Sequence, residues 1–231
     1  MQPLRRDFAT QDELVGALAR QVGDIVAEAV AQRGRAALVL SGGRTPEALF
    51  RRLAPEALPW AQVTATLADE RWVPESSPDS NAALVRRTLM TGPAAALTFL
   101  PLYNGAATPE EGAPALSAEL RATLPLPLDL VLLGMGEDGH TASFFPGGDR
   151  LAEALAGEGP ACPLRAPGAP QPRITLTLPL LLNARRIVLL ITGESKRRVL
   201  EAALGEGPVE DMPVRAVLRQ DRVPVDIHWA P

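Results

Sequence analysis

One short segment concentrates the residue types that general acid–base chemistry needs. Gly134-Met135-Gly136-Glu137-Asp138-Gly139-His140-Thr141 follows the apolar run Leu130 to Leu133 and holds one of only two histidines in the chain. Three glycines keep this backbone open and bring Asp138 and His140 into reach of one another. A histidine is the common general base near neutral pH, and an adjacent carboxylate fixes its tautomer and stabilises its protonated form. The bland alternative is a glycine loop with an incidental surface histidine. The second histidine, His228, lies in the alternating run Val225-Asp226-Ile227-His228-Trp229 and reads as a strand residue with no chemical role. No HExxH element or Cys/His cluster accompanies either histidine, so no metal site is expected. There is no GxSxG elbow, and Cys162, the single cysteine, sits among prolines without a basic neighbour before Arg165.

Three further segments offer charge and hydrogen-bond donors. Ser41-Gly42-Gly43-Arg44-Thr45-Pro46 leaves an apolar run and enters a helix at Pro46. Its free N–H groups, the hydroxyls of Ser41 and Thr45, and Arg44 suit a phosphate; an ordinary strand-to-helix turn with Thr45 as N-cap fits equally well. Neither GxGxxG nor GxxxxGK[ST] is present, which speaks against a dinucleotide site or a P-loop. Asp69-Glu70-Arg71 forms either a polar wall, with Arg71 shaped for an oxyanion and Asp69 ordering its partners, or an exposed salt-bridged turn. Lys196 occupies the first turn of a helix, where it opposes the dipole unless an anion joins it; a solvated lysine is the plain alternative. Arg173, opening Ile174-Thr175-Leu176, is a further candidate cation without a spacing argument.

These segments need elements to carry them. Leu14, Ala17, Leu18, Val22, Ile25, Val26 and Ala29 recur at helical steps and predict a helix from about Asp12 to Gln32. The short apolar runs Ala36–Leu40, Val63–Ala68, Leu128–Leu133 and Arg186–Thr192 read as strands buried on both faces, and Val223–Trp229 as a last one. Helical spacing follows at Pro46–Leu53, Asn81–Met90 and Glu194–Leu204. About six strands alternating with helices predict an α/β fold: one domain over residues 1–231, doubly wound in the Rossmann-like manner, with a mostly parallel sheet flanked by helices. Ligands of such sheets sit outside the carboxyl ends of the strands, where Ser41–Thr45, Asp69–Arg71 and Gly134–Thr141 all fall. Gly157 to Pro172, rich in Gly, Ala and Pro, reads as a surface loop.

Composition narrows the partners. A net charge of −4 without a basic block argues against nucleic acid. No apolar run approaches the length of a membrane span, and the opening residues lack a signal-peptide core, so neither membrane nor export is expected. One cysteine fits a reducing cytoplasm. No obligate protein partner is evident.

Taken together the chain resembles the 6-phosphogluconolactonase family, within the superfamily that includes glucosamine-6-phosphate deaminases. The matching pieces are Ser41-Gly42-Gly43 with Thr45-Pro46, Asp69-Glu70-Arg71-Trp72-Val73, Ser80-Asn81, Leu133 to Gly147, Arg173-Ile174-Thr175-Leu176, and Thr192-Gly193 with Lys196. The resemblance implies hydrolysis of 6-phosphoglucono-1,5-lactone without metal or organic cofactor. It implies His140 as the base acting on water, Asp138 as its orienting carboxylate, and Arg71 with Lys196 as holders of the anionic substrate. Arg44 departs from the pattern, because relatives commonly carry a small residue there. Two rival readings stand beside it. A deaminase would have an asparagine-glutamate-proline element where this chain has Ser143-Phe144-Phe145-Pro146, and a non-catalytic sugar-phosphate sensor would carry a DNA-binding extension that is not seen here.

Overall fold

The computed structural model describes residues 2–231. Its strands are β1 (Leu4–Asp7), β2 (Ala36–Leu40), β3 (Val63–Leu67), β4 (Asp69–Arg71), β5 (Thr98–Leu100), β6 (Leu130–Leu133), β7 (Ala161–Leu164), β8 (Arg173–Leu176), β9 (Ile187–Thr192) and β10 (Val225–Ala230). Its helices are α1 (Gln11–Arg33), α2 (Arg44–Leu53), α3 (Asn81–Thr88), α4 (Pro109–Thr123), α5 (Leu151–Ala156), α6 (Leu178–Leu181), α7 (Glu194–Leu204) and α8 (Val214–Leu218).

Seven strands form one sheet in the order β1-β10-β9-β6-β2-β3-β5, and every pairing in it is parallel. The expected parallel α/β architecture is therefore present. All residues of β2 and β6 are buried, as unbroken apolar runs require when helices cover both faces of a sheet. Helix α1 is bounded by local chemistry: Thr10 Oγ1 accepts from Glu13 N–H at 3.2 Å, and Gly34 at φ 69° lets its N–H reach the Val30 carbonyl at 2.8 Å.

The expectation of about six strands falls short, because a second sheet of three antiparallel strands, β4-β8-β7, lies beside the first. Asp69–Arg71 is thus strand β4 rather than a turn, with Asp69 opposite Thr175 and Arg71 opposite Arg173. The supposed surface loop Gly157–Pro172 contains β7, which places Cys162 in a strand, buried. Both departures have one cause. These strands are three or four residues long and carry charge or proline, which leaves too little alternation for a local pattern to announce them, and β4 in addition pairs with β8 from about a hundred positions away.

Candidate active site

A cleft of about 590 Å³ opens at the carboxyl ends of β2, β6 and β9, where the sheet direction places it. The glycine segment after β6 forms one wall. Gly136 N–H donates to the His140 carbonyl at 2.8 Å and Thr141 Oγ1 to the Gly134 carbonyl at 2.8 Å, closing the segment on itself. Glycine is needed at position 136, because a Cβ there would stand 2.0 Å from His140 Nδ1 and 2.5 Å from Asp138 Oδ1. Ala142 adopts φ 48°, a left-handed conformation unusual for alanine that turns the chain sharply after Thr141.

The loop delivers the pair expected from the sequence. His140 Nδ1 lies 2.6 Å from Asp138 Oδ1, and the His140 N–H reaches the same oxygen at 3.1 Å. Through the ring hydrogen bond from His140, Asp138 is held down to about 2, so it is a carboxylate throughout the neutral range. With Nδ1–H donating to that carboxylate, Nε2 carries the lone pair, the tautomer a base requires. The imidazole packs on Phe145, with ring centroids 4.2 Å apart and planes inclined by 35°.

The opposite wall is cationic. Arg173 places its guanidinium 5.5 Å from the centre of the Phe145 ring and 3.9 Å from Asp69 Oδ2. Burial lowers its affinity for a proton, the nearby Asp69 works against that, and its Nε is buried without a partner among the described residues. Asp69 Oδ2 accepts from Ser143 Oγ at 2.5 Å, so this carboxylate is committed to ordering the wall. Arg71 Nη1 donates to the Asp79 carbonyl at 2.8 Å and to Asn81 Oδ1 at 2.9 Å, while Asn81 Nδ2 donates to the Asp69 carbonyl at 3.0 Å. Beneath them Glu70 is fully buried. Its two oxygens accept from the N–H groups of Arg71, Asn81 and Ala82 and from Ser80 Oγ, tying β4 to the start of α3. Burial raises the Glu70 carboxyl above its usual range, against the pull of those N–H donors.

Lys196 reaches in from the first turn of α7, its ammonium donating to the Met135 carbonyl. Burial lowers its proton affinity, and Glu137 and Asp138 oppose that effect. Ser41, Gly42 and Gly43 line the cleft at the entrance to α2, whose cap residue Gly43 makes no side-chain cap hydrogen bond. The first N–H groups of α2 are thus without a side-chain acceptor.

Of the residues singled out in the sequence, His140, Asp138, Asp69, Ser41, Gly42, Gly43, Arg71, Arg173 and Lys196 all line this cleft. Arg44 and Thr45 do not. They fall in the first turn of α2 and line a separate cleft of about 450 Å³ with Gln11, Arg51 and Arg52, and the Thr45 hydroxyl pairs with Thr192 Oγ1 at 3.0 Å. Thr45 is inside the helix and Gly43 occupies the cap, so the N-cap alternative for Thr45 is corrected as well. Sequence reasoning gave no role to Asn81, Ser143 or Phe145. All three sit within quoted motif segments, but their work is to hold other side chains, which depends on contacts rather than on residue type.

Among the described residues no group of three or more His, Cys, Asp or Glu side chains is placed to hold a metal ion, and no helix is long and apolar enough to cross a membrane.

Residues 9–229 match the family model described as glucosamine-6-phosphate isomerases/6-phosphogluconolactonase. The chain is 47% identical to the 6-phosphogluconolactonase of Rhizobium meliloti over 226 residues, covering 97% of each protein. It is 47% identical to that of Pseudomonas aeruginosa over 216 residues, 93% of this chain and 89% of the relative. The crystal structure of a 6-phosphogluconolactonase from Shewanella baltica superposes with a TM-score of 0.98 at 40% identity, covering 100% of this chain and 98% of that one. The chain belongs to the glucosamine-6-phosphate isomerase/6-phosphogluconolactonase family.

Proposed function

We infer that the chain, acting as a single α/β domain, hydrolyses 6-phospho-D-glucono-1,5-lactone to 6-phospho-D-gluconate, the lactone-opening step of the oxidative pentose phosphate pathway. The near full-length likeness to lactonases from several bacteria supports the reaction. The observation that carries the mechanism is the 2.6 Å contact between His140 and Asp138 in a cleft that also holds three cationic side chains.

His140 Nε2 takes a proton from a water molecule as its oxygen attacks the lactone carbonyl carbon. The resulting oxyanion collapses, the bond from that carbon to the ring oxygen breaks, and the imidazolium returns the proton to the departing oxygen. The acid formed ionises at neutral pH. Asp138 keeps Nδ1–H in place and stabilises the imidazolium between the two transfers. Arg71, Arg173 and Lys196, together with the N–H groups at Gly42 and Gly43, hold the phosphate and the developing oxyanion, with Asp69 and Asn81 fixing the two arginines. No step calls for a metal or organic cofactor. The substrate is a small phosphorylated lactone, and the single cysteine suits a reducing, cytoplasmic setting.

The deciding experiment measures acid release from freshly generated 6-phosphogluconolactone, corrected for spontaneous hydrolysis, with and without chelator. Turnover that survives chelator is expected. A folded chain that gives no acceleration over background refutes the reading, and ammonia release from glucosamine 6-phosphate then becomes the assay.

A further inference from the structure

Behind the cleft lies a buried cation that the reaction does not touch. Arg215, on α8, is 5% exposed, and among the described residues its hydrogen bonds all go to backbone carbonyls. Nη2 donates to Ala202 at 3.0 Å and to Glu206 at 2.8 Å, Nη1 to Pro208 at 2.9 Å, and Nε to Ala203 at 3.4 Å. Ala202 and Ala203 belong to the last turn of α7, whose unpaired carbonyls present the negative end of the helix dipole. A buried guanidinium is costly unless its donors are satisfied, so this arrangement specifies one path for the chain between α7 and α8. Gly207 confirms how close that path runs: it adopts φ +125°, and a Cβ there would stand 2.6 Å from Arg215 Nη1.

The same connection rests on the catalytic loop. Val214 N–H donates to the Gly139 carbonyl at 2.9 Å. Met212 packs so tightly against Gly139, itself at φ +78°, that a Cβ on the glycine would lie 2.9 Å from the Met212 Cβ. Gly139 is the residue directly before His140. At its other end α7 carries Lys196, whose ammonium meets the carbonyl of Met135 in the same loop. Helices α7 and α8 thus grip residues 134–141 at two points, and Arg215 joins the two helices.

We propose that Arg215 is a positioning residue for the reaction, holding Met212 and Val214 against Gly139 so that His140 and Lys196 keep one relative geometry. The kinetic side of this inference rests on the lactonase reading; the structural side does not. Displacement of a catalytic group by about 1 Å is enough to cost about 10²-fold in rate.

The test compares Arg215→Met, Met212→Ala and Arg219→Ala in the full chain, by amide hydrogen exchange across residues 134–141 and by kcat and KM on the lactone. Arg219 is the control, because it bonds carbonyls of the same connection, Gly205 and Gly207, from an exposed position without reaching Gly139. Arg215→Met is expected to speed exchange in 134–141, lower kcat by about 10²-fold and raise KM, since both His140 and Lys196 lose their reference. Met212→Ala should lower kcat less and leave KM alone, and Arg219→Ala should change neither. Exchange in 134–141 matching wild type in Arg215→Met, or altered exchange with kcat unchanged, overturns the proposal. If Arg215→Met does not fold, Arg215→Lys, which keeps the charge but loses the guanidinium fork, decides by the same criteria. Failure of the wild type to turn over the lactone counts against the lactonase reading, and the exchange data then judge the bracket alone.

Discussion

The two histidines show how environment, not residue type, assigns a role. His140 sits on a glycine loop at a strand's carboxyl end, its side chain 31% exposed and one nitrogen engaged by a carboxylate. His228 sits inside β10, 1% exposed, with neither ring nitrogen partnered among the described residues. Its neighbours are the Phe8 ring, with centroids 5.4 Å apart, and the charged groups of Asp226 and Arg6, which act on it in opposite directions. Burial dominates and pushes His228 down to about 4. One imidazole is reachable by solvent with a carboxylate at its side, the other is enclosed and held neutral.

Substitutions can break or sharpen that contrast. His140→Ala should lower kcat/KM on the lactone by about 10²–10⁴-fold, the usual worth of a general base, without altering the thermal midpoint. A variant within a few-fold of wild type would remove the role from His140. Asp138→Asn should cost about 10²-fold, because the amide no longer stabilises the imidazolium, and the loss should fall on kcat. Asp138 is held down to about 2 against an ordinary 3.8; its contribution is complete above the ordinary value and is lost only as pH falls through about 2. Wild-type kcat in a folded Asp138→Asn variant would contradict this assignment.

The smallest effect on activity, and the sharpest on stability, is expected at position 228. The unfolded chain binds a proton at His228 near the ordinary 6.5, the folded chain only at about 4. Stability from this group is therefore complete above the unfolded value and declines as pH falls from there to about 4, by about 3 kcal/mol in all. His228→Leu should flatten denaturant stability across that window and leave kcat within twofold, as an apolar group of similar size removes two unpartnered polar atoms. Acid sensitivity unchanged in that variant would mean that other groups set it.

The contrast between the histidines was legible in sequence, since a glycine-bounded Asp-x-His after an apolar run and an alternating strand segment differ at sight. The parallel frame was legible too: β2, β6 and β9 are continuous apolar runs, and α1 and α7 keep their expected ranges within a residue. What escaped is what local residue pattern does not carry. Arg173 offered no local reason to face the cleft because its place is set by pairing with Arg71, and β7 was hidden by Pro163 and the glycines around it. Arg44 misled for a geometric reason. Adjacent to the glycine turn in sequence, it already belongs to a helix, where each step rotates the side chain by about 100° and carries it to another face.

One contact bears on anyone who would retrain this cleft for a different lactone. A Cβ at position 42 would stand 1.9 Å from Asn81 Oδ1, the oxygen that also receives Arg71. Codons 42, 71 and 81 therefore behave as a single unit of inheritance: a library that randomises them separately will sample mostly dead combinations, whereas one that varies them jointly explores this wall of the cleft as a whole.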